Sequence, residues 1–218
     1  MTQHNDLTEV RDRILVATLA HAAFDGWSRT ALRAGASDAG KEHGWGPDMA
    51  RRAFPDGIPG LVDHLADWAD RRMLDELVKL DLEALAVRDC ISAGVRLRLQ
   101  VLAPYREGMR RLLSYLALPQ NAPQAARLTW AAADAIWYAA GDQSSDFNYY
   151  TKRGLLAPVY STTMLYWLAD ESEDFADTWS FLDRRIAGVL RIPAASSRIK
   201  KALSSLSGPL GAFRRARG

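Results

Sequence analysis

The sequence predicts an all-α protein: a bundle of about nine helices followed by an amphipathic C-terminal helix. Two observations carry this. Apolar residues recur at steps of three and four over almost the whole chain, and no stretch alternates with strand period between turn residues. With 218 residues, 48% of them apolar, the chain is long enough for one helical body with a real core and a small head.

The elements follow in order. Leu7, Val10, Ile14, Ala17, His21 and Phe24 form the first stripe, with Asp6 and Glu9 spaced as a capping box and Gly26 at its end. His21 on that stripe reads as a packed core histidine. A second helix is expected from Thr30 to His43, then a turn from Gly44 to Pro47. Pro47 suits the first position of a short third helix ending near Phe54. After the turn Phe54-Pro55-Asp56-Gly57, a long helix carries Ile58, Leu61, Leu65, Trp68, Met73, Leu77 and Leu80. Further helices carry Val87 to Val101, follow Pro104, and span Pro123 to Ala140. Another runs from Phe147 to Leu168, bent or broken near Pro158. Phe175, Trp179, Leu182, Ile186 and Val189 give the last regular stripe. Residues 1–56 divide off as a head, 57–192 as a body and 193–218 as a tail.

Charge is distributed unevenly. The last acidic residue is Asp183, and from Arg191 onward there are seven basic residues and no acidic one. The rest of the chain holds 21 Lys and Arg against 26 Asp and Glu. A basic tail on an acidic body points to an anionic partner, phospholipid or nucleic acid. No apolar run approaches the roughly 18 residues of a spanning helix. The N-terminal MTQHNDLTEVRDR has no apolar signal region and is too acidic for a typical transit peptide. The single Cys90 excludes an internal disulfide and fits a reducing compartment. A bacterial cytoplasm, peripheral to the inner membrane, is the expected location, or the mitochondrial matrix side for a processed eukaryotic protein.

Chemistry-bearing motifs are missing. His4, His21, His43 and His64 form no Glu-x-x-His or His-x-x-x-His pair, so neither a zinc nor a di-iron site has a helical signature. There is no Gly-rich phosphate loop and no nucleophile elbow. The chain is therefore expected to be non-catalytic, with no cofactor and no metal.

The text RDRILVATLAHAAFDGW, a helix pair and FPDGIPGLVDHL resembles the head of the TetR regulators, whose third helix enters the major groove. Here that helix would be PDMARRAF. Ala50 stands where that family places an aromatic residue against phosphate. Asp48 opposes phosphate, and Arg51 with Arg52 reads as a solvated face. The likeness implies a TetR-like fold more than DNA binding, and no nucleic-acid partner is expected. A ligand-responsive TetR-type repressor is the alternative.

Asp134 to Arg153, DAIWYAAGDQSSDFNYYTKR, places Gly141 to Asp146 as a polar turn between two helices. Trp130, Asp134 and Trp137 share a face by spacing, and a carboxylate between two tryptophans must be paired or exposed. Tyr149 and Tyr150, beside Asp146 and Arg153, have the amphipathic character of interface residues, though an ordinary helical corner uses the same types.

The longer segment AIWYAAGDQSSDFNYYTKRGLLAPVYSTTMLYW, with DTWSFLDRRI, resembles the ubiquinone-biosynthesis accessory family known as the ninth Coq protein. The resemblance runs from about Leu7 into the tail. It implies a TetR-like protein that binds isoprenoid lipid and presents a quinone precursor to the di-iron demethoxyubiquinone hydroxylase. It also implies a partner patch at Asp134, Ile136, Asp146, Tyr149 and Tyr150. Some relatives carry Trp at the position of Tyr149, a change that keeps a large amphipathic ring. A homodimer is the expected assembly.

Residue size bears on the lipid. Ala131, Ala132, Ala135 and Ala139 leave one helix face with little volume, as do Gly154, Ala157 and Ser161 on the next. Facing small residues mean close backbone approach or an open cavity. Trp130, Ala135, Gly154, Leu155, Ala157, Ser161, Met164, Leu165 and Trp167 are the candidate lipid-lining set.

In the tail, Ile199, Leu203, Leu206, Leu210 and Phe213 repeat at four, three, four and three. Arg198, Lys200, Lys201, Arg214 and Arg215 fall mostly elsewhere on the wheel. This is the pattern of a helix lying in an anionic membrane interface, although Gly208 and Pro209 weaken it near the middle. The same stripe also suits packing on the body or on a second subunit. Members of the resembled family carry a terminal amphipathic helix that meets the membrane.

Overall fold

A computed structural model describes residues 2–81, 85–142 and 147–190, among which every regular element is helical. The tail positions from Arg198 to Arg215, Asp146 and the proposed 193–218 unit lie outside the described residues.

The head is α1 (Thr2–Asp25), α2 (Arg29–Gly40) and α3 (Met49–Ala53). α1 begins at Thr2, so the backbone of Asp6 and Glu9 lies within the helix and not at its start; Glu9 pairs with Arg13 at 2.5 Å. Gly26 ends α1 at φ 65°, a conformation natural to glycine. Ser28 then caps α2, its hydroxyl accepting the Ala31 N–H at 3.1 Å. α1 and α2 pack closely because Gly35 has no side chain: a Cβ there would lie 2.2 Å from Thr18 Oγ1. His21 is not a core residue. It is partly exposed, with Nε2 2.6 Å from Asp38 Oδ2 on α2. The apolar stripe of α1 brings it to the rim, where a polar partner waits.

The body comprises α4 (Ile58–Leu77), α5 (Val87–Leu102), α6 (Arg106–Leu116), α7 (Ala122–Ala139), α8 (Phe147–Ala169) and α9 (Ala176–Leu190). α4 packs on α5 and α7, α7 on α8, and α8 on α9, while α1 reaches across to α6. Head and body share one core, with Ile14, Leu61, Met73, Leu99, Ile136 and Leu182 all buried. The Trp27 indole fixes the junction by donating to the Gly108 carbonyl at 3.0 Å.

α8 is one helix through Pro158, not two. The missing N–H costs local stability, but Leu156, Val159 and Tyr160 are buried around the proline and hold the helix on the body. The C-terminal carbonyls of α8 are satisfied from α6. Arg106 donates to the Trp167 carbonyl at 2.6 Å and Arg110 to the Leu168 carbonyl at 2.5 Å. Cations at this end also oppose the helix dipole. Asp170 then organises the turn into α9, accepting the Ser172 and Thr178 backbone N–H groups at 2.8 and 2.9 Å.

Candidate functional site

Two features stand out in the body: an apolar cavity and a charged, aromatic corner at the α7–α8 hairpin.

The cavity has a volume of about 380 Å³, within the roughly 300–1,000 Å³ range of small-molecule sites. Five helices wall it. α4 contributes Val62, Leu65, Ala66 and Ala69, and α6 contributes Met109, Leu112, Leu113 and Leu116. α5 supplies Arg98 and Leu102, α7 supplies Leu128 and Thr129, and α8 supplies Tyr160, Ser161, Met164 and Leu165. Leu102 and Met109 are almost wholly buried, whereas Leu165 is 57% exposed. The space therefore has a closed inner end and an open outer one.

Arg98 stands at the inner end and is 4% exposed. Its Nε donates to Asp70 at 2.6 Å and its Nη1 to the Tyr160 hydroxyl, while Nη2 lies 3.4 Å from the Ala66 carbonyl. Burial works against the guanidinium charge, but Tyr160 and Asp70 outweigh it and raise its pKa. Burial also pushes the Tyr160 hydroxyl above its usual range, against the pull of Arg98, so Tyr160 is a neutral phenol.

Of the sequence-derived lipid set, Ser161, Met164 and Leu165 line this cavity. Trp130, Ala135, Gly154, Leu155, Ala157 and Trp167 do not. Trp167 lies further along α8, fully buried outside the cavity, with Phe175 at 6.0 Å between ring centroids and Arg106 above it. Trp130 instead approaches Tyr150 at 6.3 Å. Of the small-residue faces of α7 and α8, Ser161 alone reaches the space, and Ala131 and Gly154 are exposed. The cavity opens one interface away, where α6 meets α8 over α4 and α5. Periodicity gives α4 and α6 an apolar face each, but nothing local distinguishes their cavity-facing leucines from other core leucines.

At the hairpin corner, Arg153 is 3% exposed and draws two carboxylates together. Its Nη1 donates to Asp142 at 2.8 Å and its Nε pairs with Asp134. Tyr149 donates its hydroxyl to Asp134 at 3.0 Å, and Lys152 pairs with Asp142 at 2.5 Å. Burial opposes the Arg153 charge, and the Asp134 and Asp142 hydrogen bonds overcome it, raising its pKa. The Trp137 indole donates to the Lys152 carbonyl at 3.0 Å, tying α7 to α8. Asp134, placed by spacing between two tryptophans, is both paired and 42% exposed at its side chain.

Outside this network stand Tyr150, 63% exposed, and Tyr138, 73% exposed. Tyr149 and Tyr150 meet edge to face at 5.1 Å. Ile136 corrects the expected patch: it has no exposed surface and packs on Gly94, where a Cβ would approach its Cγ2 to 3.1 Å. An aliphatic side chain on the α5-facing side of α7 cannot also meet a partner. Asp134, Tyr149 and Tyr150 remain at the surface corner.

In the head, α3 has only five residues. Arg51 and Arg52 are exposed, and Ala50 is buried in the core. Among the described residues, no group of three or more His, Cys, Asp or Glu side chains could hold a metal ion, and no helix is long and apolar enough to cross a membrane.

Comparison with known proteins places these features in a family. The COQ9 family model matches residues 122–193, which begin with α7 and run past α9. The chain is 35% identical over 212 residues to the ubiquinone biosynthesis protein COQ9, mitochondrial, of Rattus norvegicus, covering 94% of this chain and 66% of that protein. Identity to the Homo sapiens protein of the same name is 34% over 212 residues, covering 94% and 65%. For Drosophila melanogaster it is 35% over 181 residues, covering 81% and 54%. The chain thus spans at most about two thirds of these relatives' length. The crystal structure of a TetR transcriptional regulator from Nitrosomonas europaea superposes with a TM-score of 0.64 at 23% identity, covering 83% of this chain and 97% of that one. That likeness establishes the TetR-like fold. Identity to the COQ9 proteins over nearly the whole chain, together with the match through the hairpin corner, shows that the chain belongs to the COQ9 family.

Proposed function

We propose that this protein is a non-catalytic accessory factor of ubiquinone biosynthesis. In this reading it holds an isoprenoid quinone precursor in its body and presents it to the di-iron demethoxyubiquinone hydroxylase at a membrane surface. The observation that carries the reading is the apolar cavity among α4, α5, α6, α7 and α8, whose open end lies beside Leu165. Removing isoprenoid hydrocarbon from water yields about 25 cal/mol per Å², and the same walls compensate for leaving the bilayer. The corner of Asp134, Tyr149 and Tyr150 is the proposed hydroxylase contact, with Asp146 included on the family resemblance alone. The basic stripe after residue 193 is the proposed membrane anchor, the body at 57–192 the lipid holder and 1–56 the retained head. A homodimer on the cytoplasmic face of a bacterial inner membrane, or on the matrix side in mitochondria, is the assembly this reading carries.

The test is direct. Protein purified from its native host is held intact in native mass spectrometry, and the bound material is extracted and identified. An isoprenoid or other long apolar lipid is expected, and Leu165→Trp at the open end should reduce its occupancy. Protein that arrives empty and takes up no lipid from vesicles would overturn the reading. The repressor alternative gains nothing from α3, which offers two exposed arginines on five residues beside the exposed Asp48.

A further inference from the structure

We infer that Tyr160, backed by Arg98, is an anchor for an uncharged oxygen at the closed end of the cavity, so that an amphiphile sits head inward with its hydrocarbon chain toward Leu165. The inference rests on the lipid-holding reading and adds the orientation and head-group chemistry of the ligand.

The walls of the cavity are carbon except at a few places, and the side chains of Arg98 and Tyr160 are the most deeply buried of these, each 4% exposed. The pair has little value as packing. Burying a guanidinium is costly unless it is paired and hydrogen-bonded, and leucine or methionine would fill the same space. Arg98 is instead held with care: Nε on Asp70 at 2.6 Å, Nη1 on the Tyr160 hydroxyl, Nη2 toward the Ala66 carbonyl, and the guanidinium carbon 5.1 Å from the Tyr160 ring centroid.

The use of the phenol is asymmetric. Tyr160 accepts from Arg98, which occupies oxygen lone-pair capacity and leaves its own O–H to donate. None of the hydrogen bonds among the described residues has Tyr160 as donor. Burial keeps the phenol protonated, and an N–H donated into its oxygen strengthens its O–H as a donor. A buried donor of this kind calls for an acceptor.

Charge decides which acceptor. Asp70 already neutralises Arg98, so a carboxylate or phosphate would bring an uncompensated charge into an apolar space. A hydrocarbon end would leave the phenol unpaired. A carbonyl or ether oxygen satisfies it without either cost. Direction follows from exposure: Ala69, Leu102 and Met109 close the inner end, and Leu165 and Ala117 lie at the outer one.

The full chain is titrated with three probes that share a six-membered ring and a ten-carbon chain: decylbenzoquinone, decylbenzene and 4-decylbenzoate. Wild-type protein should bind the quinone at least tenfold more tightly than either of the others. Tyr160→Phe should reduce quinone affinity to that of decylbenzene and leave decylbenzene unchanged. Equal wild-type affinity for quinone and decylbenzene overturns the anchor, as does a quinone preference that survives Tyr160→Phe; in both cases the lipid-holding cavity stands. Tighter binding of the benzoate overturns the uncharged class. Failure of all three probes, or binding indifferent to Leu165→Trp, overturns the cavity reading and the anchor with it. If Tyr160→Phe melts too early to titrate, the wild-type ranking of the three probes decides alone.

Discussion

The guanidinium carbon of Arg153 lies 3.5 Å from the ring centroid of Tyr149, one helical turn away on α8. The contact joins a buried cation to an aromatic ring whose hydroxyl reaches back to Asp134 on α7. Arg153 thereby holds Asp134, Asp142 and Tyr149 in one arrangement. Cutting it exposes how the corner is built. Arg153→Met should lower stability by about 3 kcal/mol in urea titration, because the nearly buried Asp142 keeps only its other contacts. A loss below about 1 kcal/mol would mean that the corner is held by packing alone.

Tyr150 stands outside that network, so its truncation should separate binding from folding. Tyr150→Ala should leave stability within about 0.5 kcal/mol of wild type and weaken binding to the di-iron hydroxylase by about 2 kcal/mol. Asp146→Lys should weaken the same contact by replacing attraction with repulsion. Paired titrations and thermal melts check both variants. Wild-type affinity in each would remove this surface from the mechanism.

Asp170 gives a pH signature. Burial raises its pKa, but hydrogen bonds from Ser172 and Thr178 prevail and hold it at about 2, below the ordinary 3.8. A depressed carboxyl pKa contributes stability that is complete above the unfolded value and lost as pH falls through the folded one. Asp170→Ala should cost about 2 kcal/mol at neutral pH. The difference from wild type should shrink steadily as pH falls from about 5 toward about 2. A pH-independent difference in denaturant midpoints would assign the effect to packing.

The head should not read DNA. Ala50 is buried in the core, and α3 offers only Arg51 and Arg52 to a phosphate backbone. Selection from a random duplex library should enrich no motif. A reproducible palindrome with half-sites near one helical turn apart would favour a repressor.

Deleting Arg198 to Gly218 should abolish flotation with anionic vesicles while helical circular dichroism of the body persists. The expectation comes from the stripe of Ile199, Leu203, Leu206, Leu210 and Phe213 set against the one-sided charge. Unchanged flotation would remove the membrane role from this segment.

The sequence by itself determined the helical class, because a period near 3.6 in apolar residues is a local property that survives in any tertiary setting. It also determined the turns at Gly26 and Gly57, where a positive φ demands a residue without Cβ. The aromatic and charged residues of the hairpin, Asp134 to Arg153, identified the family. Only the tertiary structure decided which residues share a space. Asp70, Arg98 and Tyr160 stand on three different helices, and no short-range spacing links them. Ile136 and Asp134 are two positions apart on α7, yet one is buried on Gly94 and the other is half open to solvent. Pro158 would bend an isolated helix, and packing of its neighbours keeps α8 continuous. Periodicity tells a helix which face is apolar. The cavity exists because five such faces meet without filling the volume between them, and that shortfall is a property of side chains drawn from distant parts of the chain.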